Sequence, residues 1–201
     1  LGTGTVTLDG GILSITNNSS AFTISNTLAL SNSSTITKTG SGLVTLSGSV
    51  SSSNSQTNTL TLAGDGALTL SGAITDGASS GMIAMTQTNS NTVTLSGASS
   101  NTYTGDTNVN AGTLKAGKAS AFGSGSNITI NGATLDLAGN SQTVGTVTVD
   151  VNGGSIVSTG SSATLTATTS YIFNNDATHS LTVSANLAGS ASGVTLQQAG
   201  A

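Results

Sequence analysis

The sequence predicts an all-β solenoid, in which short strands are wound into stacked turns. Apolar and polar residues alternate along most of the chain, as in residues 43–46 (Leu-Val-Thr-Leu) and 92–95 (Thr-Val-Thr-Leu), and this period of two is typical of half-buried strands. Gly, Asn and Asp pairs such as Asp9-Gly10 and Asn131-Gly132 separate the strands and tolerate the backbone of tight corners. Similar strands recur along the chain, which favours stacked turns over a sandwich or a barrel.

The composition supports a thin, repetitive core. Only 5% of the 201 residues are charged and none is proline, whereas 35% are hydrophobic, mainly small aliphatics. A disordered chain would carry more charge and more proline. Few aromatic side chains are available to fill irregular gaps, so stacked layers of similar aliphatic residues suit this chain better than a thick globular core.

Charge and cysteine content exclude several functional classes. Three Lys and seven Asp give a net charge of −4, which argues against nucleic acid or an anionic membrane as a partner. The absence of cysteine removes disulfides and thiolate metal sites from consideration. There is no apolar run of the length that a membrane-spanning helix needs, so we expect no membrane insertion of this segment.

Internal near-repeats predict the architecture. Residues 42–48 (Gly-Leu-Val-Thr-Leu-Ser-Gly) recur at 91–97 and more loosely at 66–72, and residues 2–11 recur loosely at 123–132. We therefore predict one continuous parallel β-helix over 1–201, with turns of roughly 20–25 residues, about eight to ten turns and a rod about 40–50 Å long. No segment shows the spacing of a helix, and the best helical candidate, residues 115–122, would be one short turn at most. The residues predicted to point inward are Leu8, Leu46, Leu62, Leu70, Leu95, Leu114, Ile130, Leu137, Val149, Leu165 and Val183.

One segment carries a family resemblance. Residues 101–114 read Asn101-Thr102-Tyr103-Thr104-Gly105-Asp106-Thr107-Asn108-Val109-Asn110-Ala111-Gly112-Thr113-Leu114 and resemble the autotransporter-associated β-strand repeat of type V secreted passenger domains. The strand before this motif, 93–97, and the segments after it, 123–130 and 134–137, also resemble the repeat. Residues 38–48 resemble the opening of an earlier copy, in which residues 49–58 replace the motif.

The resemblance implies a right-handed parallel β-helix exported to the bacterial cell surface, and it implies no catalytic residues. The motif residues are then structural: Asn101, Thr102, Tyr103, Thr104, Gly105, Gly112, Thr113 and Leu114. Independently of the family, we expect Tyr103 to lie across a corner with its hydroxyl on water or backbone. Gly105 and Gly112 should let the chain turn, and Val109 and Leu114 should point inward.

No group of residues predicts catalysis, a cofactor or a metal. His179, the only histidine, lies near Asp176 but without the further partners of a metal site or a triad, so we interpret it as a solvated loop residue. The seven Asp residues are scattered, mostly beside Gly, and are interpreted as turn formers. Lys115 and Lys118 are interpreted as solvated charges. Gly64-Asp65-Gly66 lacks the spacing of calcium-binding β-roll repeats.

Three functional hypotheses follow. The first is a structural or adhesive extracellular protein, whose repeats project a surface or form a fibre. The second is a polysaccharide-acting enzyme on a β-helix scaffold, although the acids for glycoside chemistry are not clustered. The third is an ice-binding surface of outward Thr ladders, the pairs being Thr5/Thr7, Thr59/Thr61, Thr92/Thr94, Thr146/Thr148 and Thr166/Thr168.

The two ends of the sequence predict continuation of the rod. Solenoids need caps, because a terminal turn exposes unpaired strand edges and an open core. The strand-like segment that begins at Leu1 has no lysine, proline or helix nearby to blunt its edge, and neither has the strand at 194–196. We expect a segment of a longer repeat protein or a head-to-tail filament of copies, with any host or cell-surface partner unspecified.

Overall fold

Alternating sequences of this kind fold into short strands throughout the chain. A computed structural model describes residues 2–78, 80–189 and the short strand 194–195. These residues form strands β1 to β24 without a helix, and every strand pairing among them is parallel. None of the described residues belongs to a helix of the length and apolarity needed to cross a membrane.

The strands form four parallel sheets. The first sheet contains β1 (Val6–Asp9), β4 (Leu28–Asn32), β7 (Val50–Ser52) and β10 (Ile74–Thr75). The second contains β2 (Ile12–Thr16), β5 (Ser34–Thr39), β8 (Asn58–Gly64), β11 (Ile83–Gln87), β13 (Thr107–Val109), β15 (Ile128–Ile130), β18 (Val147–Val149), β21 (Tyr171–Phe173) and β24 (Val194–Thr195). The third contains β3 (Phe22–Ile24), β6 (Val44–Leu46), β9 (Leu68–Leu70), β12 (Thr92–Leu95), β14 (Thr113–Ala116), β16 (Ala133–Asp136), β19 (Gly154–Val157) and β22 (Leu181–Val183). The fourth contains β17 (Gln142–Val144), β20 (Thr164–Ala167) and β23 (Asn186–Gly189).

The sheets are the faces of one winding. Consecutive strands belong to different sheets, and each strand pairs with the strand one turn later, so the chain forms a parallel β-solenoid of about eight turns. The repeat length varies, because Ile128 pairs with Val147, 19 residues later, whereas Gly154 pairs with Leu181, 27 residues later. The predicted parallel β-helix and its number of turns are confirmed.

The core is a column of aliphatic side chains inside the turns. Of the residues predicted to point inward, all but one are buried. Val183 is the exception, with 39% of its surface exposed. It lies on β22, the edge strand of the third sheet, whose one partner among the described strands is β19. No described strand covers its other side, and the prediction for this residue is therefore wrong.

Of the two sets of sequence repeats, one consists of strands that stack on each other in the structure and the other does not. The strands of the 42–48, 66–72 and 91–97 repeats stack directly, with Thr45 beside Thr69 and Thr69 beside Thr94. The loose repeat of 2–11 at 123–132 has no such counterpart. Its strands are β1 on the first sheet and β15 on the second sheet, so this similarity reflects common turn and strand composition only.

The one candidate for a helical turn, residues 115–122, forms no helix. Lys115 and Ala116 belong to β14, and the following residues form turns. The N–H groups of Ala121 and Phe122 donate instead to the side-chain oxygen of Gln142, one turn away. Bonds between turns have thus replaced the local bonds that a helix would need.

Candidate functional site at the repeat motif

The repeat motif lies where one face of the solenoid is interrupted. The first sheet ends at β10 and the fourth begins at β17. Between them, residues 101–103 and 121–123 cross the same face without forming strands. Each still stacks on its neighbours, because the N–H of Thr102 donates to Ile74 O at 3.0 Å and the N–H of Asn101 donates to Ser120 O at 3.2 Å.

We call this strandless part of the face, residues 101–103 and 121–123, the seam. The side chain of Asn101 completes its hydrogen bonds. Its Oδ1 accepts the N–H of Ile74 at 3.0 Å, and its Nδ2 donates to Ala121 O at 2.6 Å. The carboxamide therefore acts like a peptide group, an acceptor towards one turn and a donor towards the next. The residue is buried, and buried backbone groups left without such partners would be costly.

A second carboxamide continues the seam one turn later. Gln142 accepts the N–H groups of Ala121 and Phe122 at 2.8 and 3.2 Å, and its Nε2 donates to Lys118 O at 2.8 Å. Lys118 also donates from Nζ to Asn101 Oδ1 at 3.3 Å and to Ser99 O. Burial lowers the pKa of Lys118. The interpretation of Lys118 as a solvated charge is therefore wrong, and no local feature of the sequence indicated this role of Gln142.

Tyr103 fills the interior beside the seam. The residue is fully buried, and its hydroxyl lies 2.9 Å from the side-chain oxygen Thr107 Oγ1, where water or backbone was expected. Thr107 Oγ1 lies 3.1 Å from Ser126 Oγ, which donates to Asn127 O. Since each hydroxyl carries one proton, donation runs from Tyr103 through Thr107 and Ser126 to the carbonyl. Burial raises the pKa of Tyr103 despite these bonds.

The two motif glycines have different roles. Gly112 has a φ of +57° and turns the chain between β13 and β14, as predicted. Gly105 lacks a positive φ, but a Cβ at this position would lie 2.5 Å from Ile83 O and 2.8 Å from Ala84 N. Its role is close approach to the preceding turn, a requirement that only a missing side chain meets.

The other motif positions divide between the interior and the surface. Val109 and Leu114 are buried, as predicted, and Thr113 lies on the outer side of β14. Thr102 is exposed. Thr104 is exposed as well, and its hydroxyl donates to Asp76 Oδ2 at 2.6 Å. Asp76 also accepts the N–H of Ile83 at 2.8 Å, so it joins the motif to the loop before β11.

The seven Asp side chains serve structural roles. Each accepts a hydrogen bond from the backbone or a side chain of its own corner or an adjacent turn. The most buried, Asp136, accepts N–H groups of Ala138 and Thr159 and lies 3.9 Å from Lys115 Nζ. Burial opposes ionisation, yet the Thr159 and Ala138 bonds and Lys115 hold the pKa of Asp136 below its usual value. Lys115 is therefore ion-paired rather than simply solvated.

His179 is exposed, as predicted, and its Nδ1 lies 2.7 Å from Asp176 Oδ1. Asp176 also accepts the N–H and the hydroxyl of Thr178, both at 2.8 Å. These bonds, the Thr178 hydroxyl first, lower the pKa of Asp176 to about 2. In the described ranges, no three His, Asp or Glu side chains come together as a metal site would require.

A buried polar corner was missed by sequence reasoning. Lys38 is fully buried and donates from Nζ to the carbonyls of Thr39 and Gly40 at 2.7 and 2.6 Å. Asn89, also buried, donates to Gly66 O at 2.9 Å and accepts the N–H of Asn91 at 2.8 Å. Both side chains satisfy backbone groups at the corner between the second and third sheets.

Comparison with known proteins identifies the motif. The model of the passenger-associated-transport-repeat family matches residues 85–116. This stretch begins on β11, crosses the seam and ends on β14, so it spans a full turn of the solenoid. It agrees with the resemblance seen in the sequence. No curated protein and no solved structure matches the chain.

Proposed function

We propose, from the passenger repeat at residues 85–116, that this chain is part of the extracellular scaffold of an autotransporter passenger. The repeat and the β-solenoid fit such a scaffold. The observation that carries the proposal is the stacking of the matched segment in register with the turns before and after it. Met85 pairs with Thr107 and Thr107 with Ile128, so the repeat is one unit of a longer stack.

The scaffold function is to hold outward faces at fixed positions away from the cell. Turns that bond only to their neighbours form an extended rod, which suits display rather than enclosure of a substrate. The Asp carboxylates, which an enzyme acting on polysaccharide would need, are committed to corners and to bonds between turns. These observations favour the scaffold over the enzyme hypothesis, and the scaffold surface is also where an adhesive role would reside.

Surface display can be tested in the organism that encodes the protein. An epitope tag inserted within the exposed turn at residues 160–162 should be accessible to antibody on intact cells, and protease added outside should remove it. A cytoplasmic protein, probed in parallel, should resist the protease until the cells are lysed. Labelling of the tag only after lysis would contradict the proposal.

The proposal also includes head-to-tail contact between solenoid ends. The interior of the first turn opens into a hollow of about 560 Å³ that includes Leu13, Ile15, Phe22 and Ile24 among its lining residues. Phe22 is 41% exposed there, and among the described strands β3 pairs with β6 alone. A further turn of the same kind would cover both the apolar hollow and the strand edges. Sedimentation and electron microscopy should reveal end-to-end assemblies, whereas a monomer at high concentration would contradict this contact.

A further inference from the structure

The register of the third sheet builds a regular array of hydroxyl groups. The outward residues Thr23, Thr45, Thr69 and Thr94 lie side by side on four consecutive turns. Two residues further on, the N–H groups of Ser47, Ser71 and Ser96 continue the ladder towards the preceding turn, so a row of serines lies beside the threonines. We name this array the hydroxyl face; its members are Thr23, Thr45, Thr69, Thr94, Ser25, Ser47, Ser71 and Ser96.

The hydroxyl face differs from the Thr pairs singled out in the sequence. Those pairs are spread over all four sheets: Thr7 lies on β1, Thr59 and Thr61 on β8, Thr92 and Thr94 on β12, Thr148 on β18 and Thr166 on β20. The five pairs therefore form no single surface, although Thr61 and Thr148 belong to one outward row of the second sheet, in which Thr86, Asn108 and Thr129 lie between them. The array arises instead from one threonine and one serine per turn, aligned by parallel pairing.

The hydroxyls of this face are free to bind. None of the eight has a protein hydrogen-bond partner within the part of the chain that the structure describes. The face carries no charge until the fifth turn, where Lys115 and then Asp136 continue the threonine row. The backbone is fixed by ladders on both sides at Thr45, Thr69 and Thr94, and on one side at Thr23, which lies on the edge strand β3; threonine side chains are stiff at χ1. Neighbouring hydroxyls are thus held about 4.8 Å apart between turns and about 7 Å apart along each strand.

We propose that the hydroxyl face binds ice. A neutral face offers no attraction for ions or nucleic acid, and none of its members is aromatic, so a sugar ring would have nothing to stack on. Its extent, on the order of 100 Å², is far below the roughly 800 Å² per partner of a stable protein interface. Ice presents a neutral, rigid, periodic array of donors and acceptors, and each hydroxyl can both donate and accept.

The test is inhibition of ice recrystallisation by the purified 201-residue chain. The variant Thr45→Lys/Thr69→Lys places two long charged side chains at the centre of the hydroxyl face. The matched control is Thr61→Lys/Thr86→Lys, two adjacent half-buried threonines in the outward row of the second sheet. We expect the parent and the control to inhibit crystal growth, and the first variant to need at least tenfold more protein. Circular dichroism melts check that both variants keep their fold.

If Thr45→Lys/Thr69→Lys unfolds, Ser47→Lys/Ser71→Lys addresses the same face from the serine row, in which Ser47 is exposed and Ser71 half-buried. An inactive parent chain would overturn the proposal, as would equal activity of the parent and a folded hydroxyl-face variant. Loss of activity in the second-sheet control alone would also overturn it. These outcomes are independent of surface display, because the assay uses the isolated chain.

Discussion

The N–H of Ile74 donates to the side-chain oxygen of Asn101 at 3.0 Å, 27 residues further along the chain. Within a sheet, this bond would go to a backbone carbonyl of the next strand. The next turn has no strand at this place, and a buried carboxamide supplies the acceptor instead. One side chain thereby carries the hydrogen-bond ladder across a gap in the face, and the stability of the solenoid should depend on it.

Replacing Asn101 with alanine should destabilise the chain by about 2–4 kcal/mol, because two buried backbone groups, Ile74 N–H and Ala121 C=O, lose their partner. Urea unfolding followed by circular dichroism measures the effect. Asn110→Ala is the control, since this asparagine is exposed and its side chain makes no hydrogen bond with other described residues. Equal unfolding midpoints for the two variants would contradict the role assigned to Asn101.

Replacing Tyr103 with phenylalanine should cost about 1 kcal/mol, as expected for one buried hydroxyl–hydroxyl bond whose remaining members keep their partners. Tyr103→Ala should cost about 3–5 kcal/mol, because it leaves a cavity in the column. The comparison of the two variants by urea unfolding separates the hydroxyl chain from the packing of the ring. A larger loss for Tyr103→Phe than for Tyr103→Ala would contradict the geometry.

Alternation and repetition were sufficient to predict the architecture. A period of two assigns each residue to the inside or the outside, and the repeated Leu-Thr-Leu strands stacked as expected. The same alternation assigns Lys38 to the inside, because it follows Ser34 and Ile36 on the inward side of β5. Its burial was predictable from alternation, but its charge suggested the surface.

The seam was not predictable from the sequence. The contacts of Asn101 and Gln142 depend on which residues stack one turn away, and turns of 19 to 27 residues hide that register. Gly105 illustrates the same limit. Its sequence context indicates a turn, whereas its actual constraint is the carbonyl of Ile83 in the preceding turn.

Gly105→Ala should therefore destabilise the chain by about 1–3 kcal/mol, as overpacking against backbone does. The thermal or urea midpoint should fall. Gly11→Ala is the control, because nothing lies within 4 Å of a Cβ at Gly11 and its φ is not positive. If Gly105→Ala is as stable as this control, the two turns do not approach as closely as the structure indicates.

Alkaline pH should destabilise the fold through its tyrosines. Burial raises the pKa of both Tyr103 and Tyr171 above the ordinary value. The stabilising contribution of such groups is complete below the unfolded pKa of about 10 and is lost as the pH rises through the folded value. Absorbance at the tyrosinate band should therefore lag behind that of free tyrosine until the chain unfolds. A titration that matches free tyrosine while the circular dichroism stays native would contradict the burial of these rings.

The corner at Asp176 predicts a pH effect of the opposite sign. Its pKa is lowered from 3.8 to about 2, first by the Thr178 hydroxyl and then by His179. A depressed carboxyl pKa stabilises the folded state above pH 3.8, and this contribution is lost as the pH falls towards 2. Carbon-detected NMR titration of the Asp176 carboxyl should show Thr178→Val raising its pKa more than His179→Gln. The pKa of Asp9, lowered by Asn32 and Ser31 at another corner, should stay unchanged in both variants. A wild-type midpoint near 3.8 would show that the corner is open in solution, because the hydrogen bonds that hold the carboxylate would then be absent.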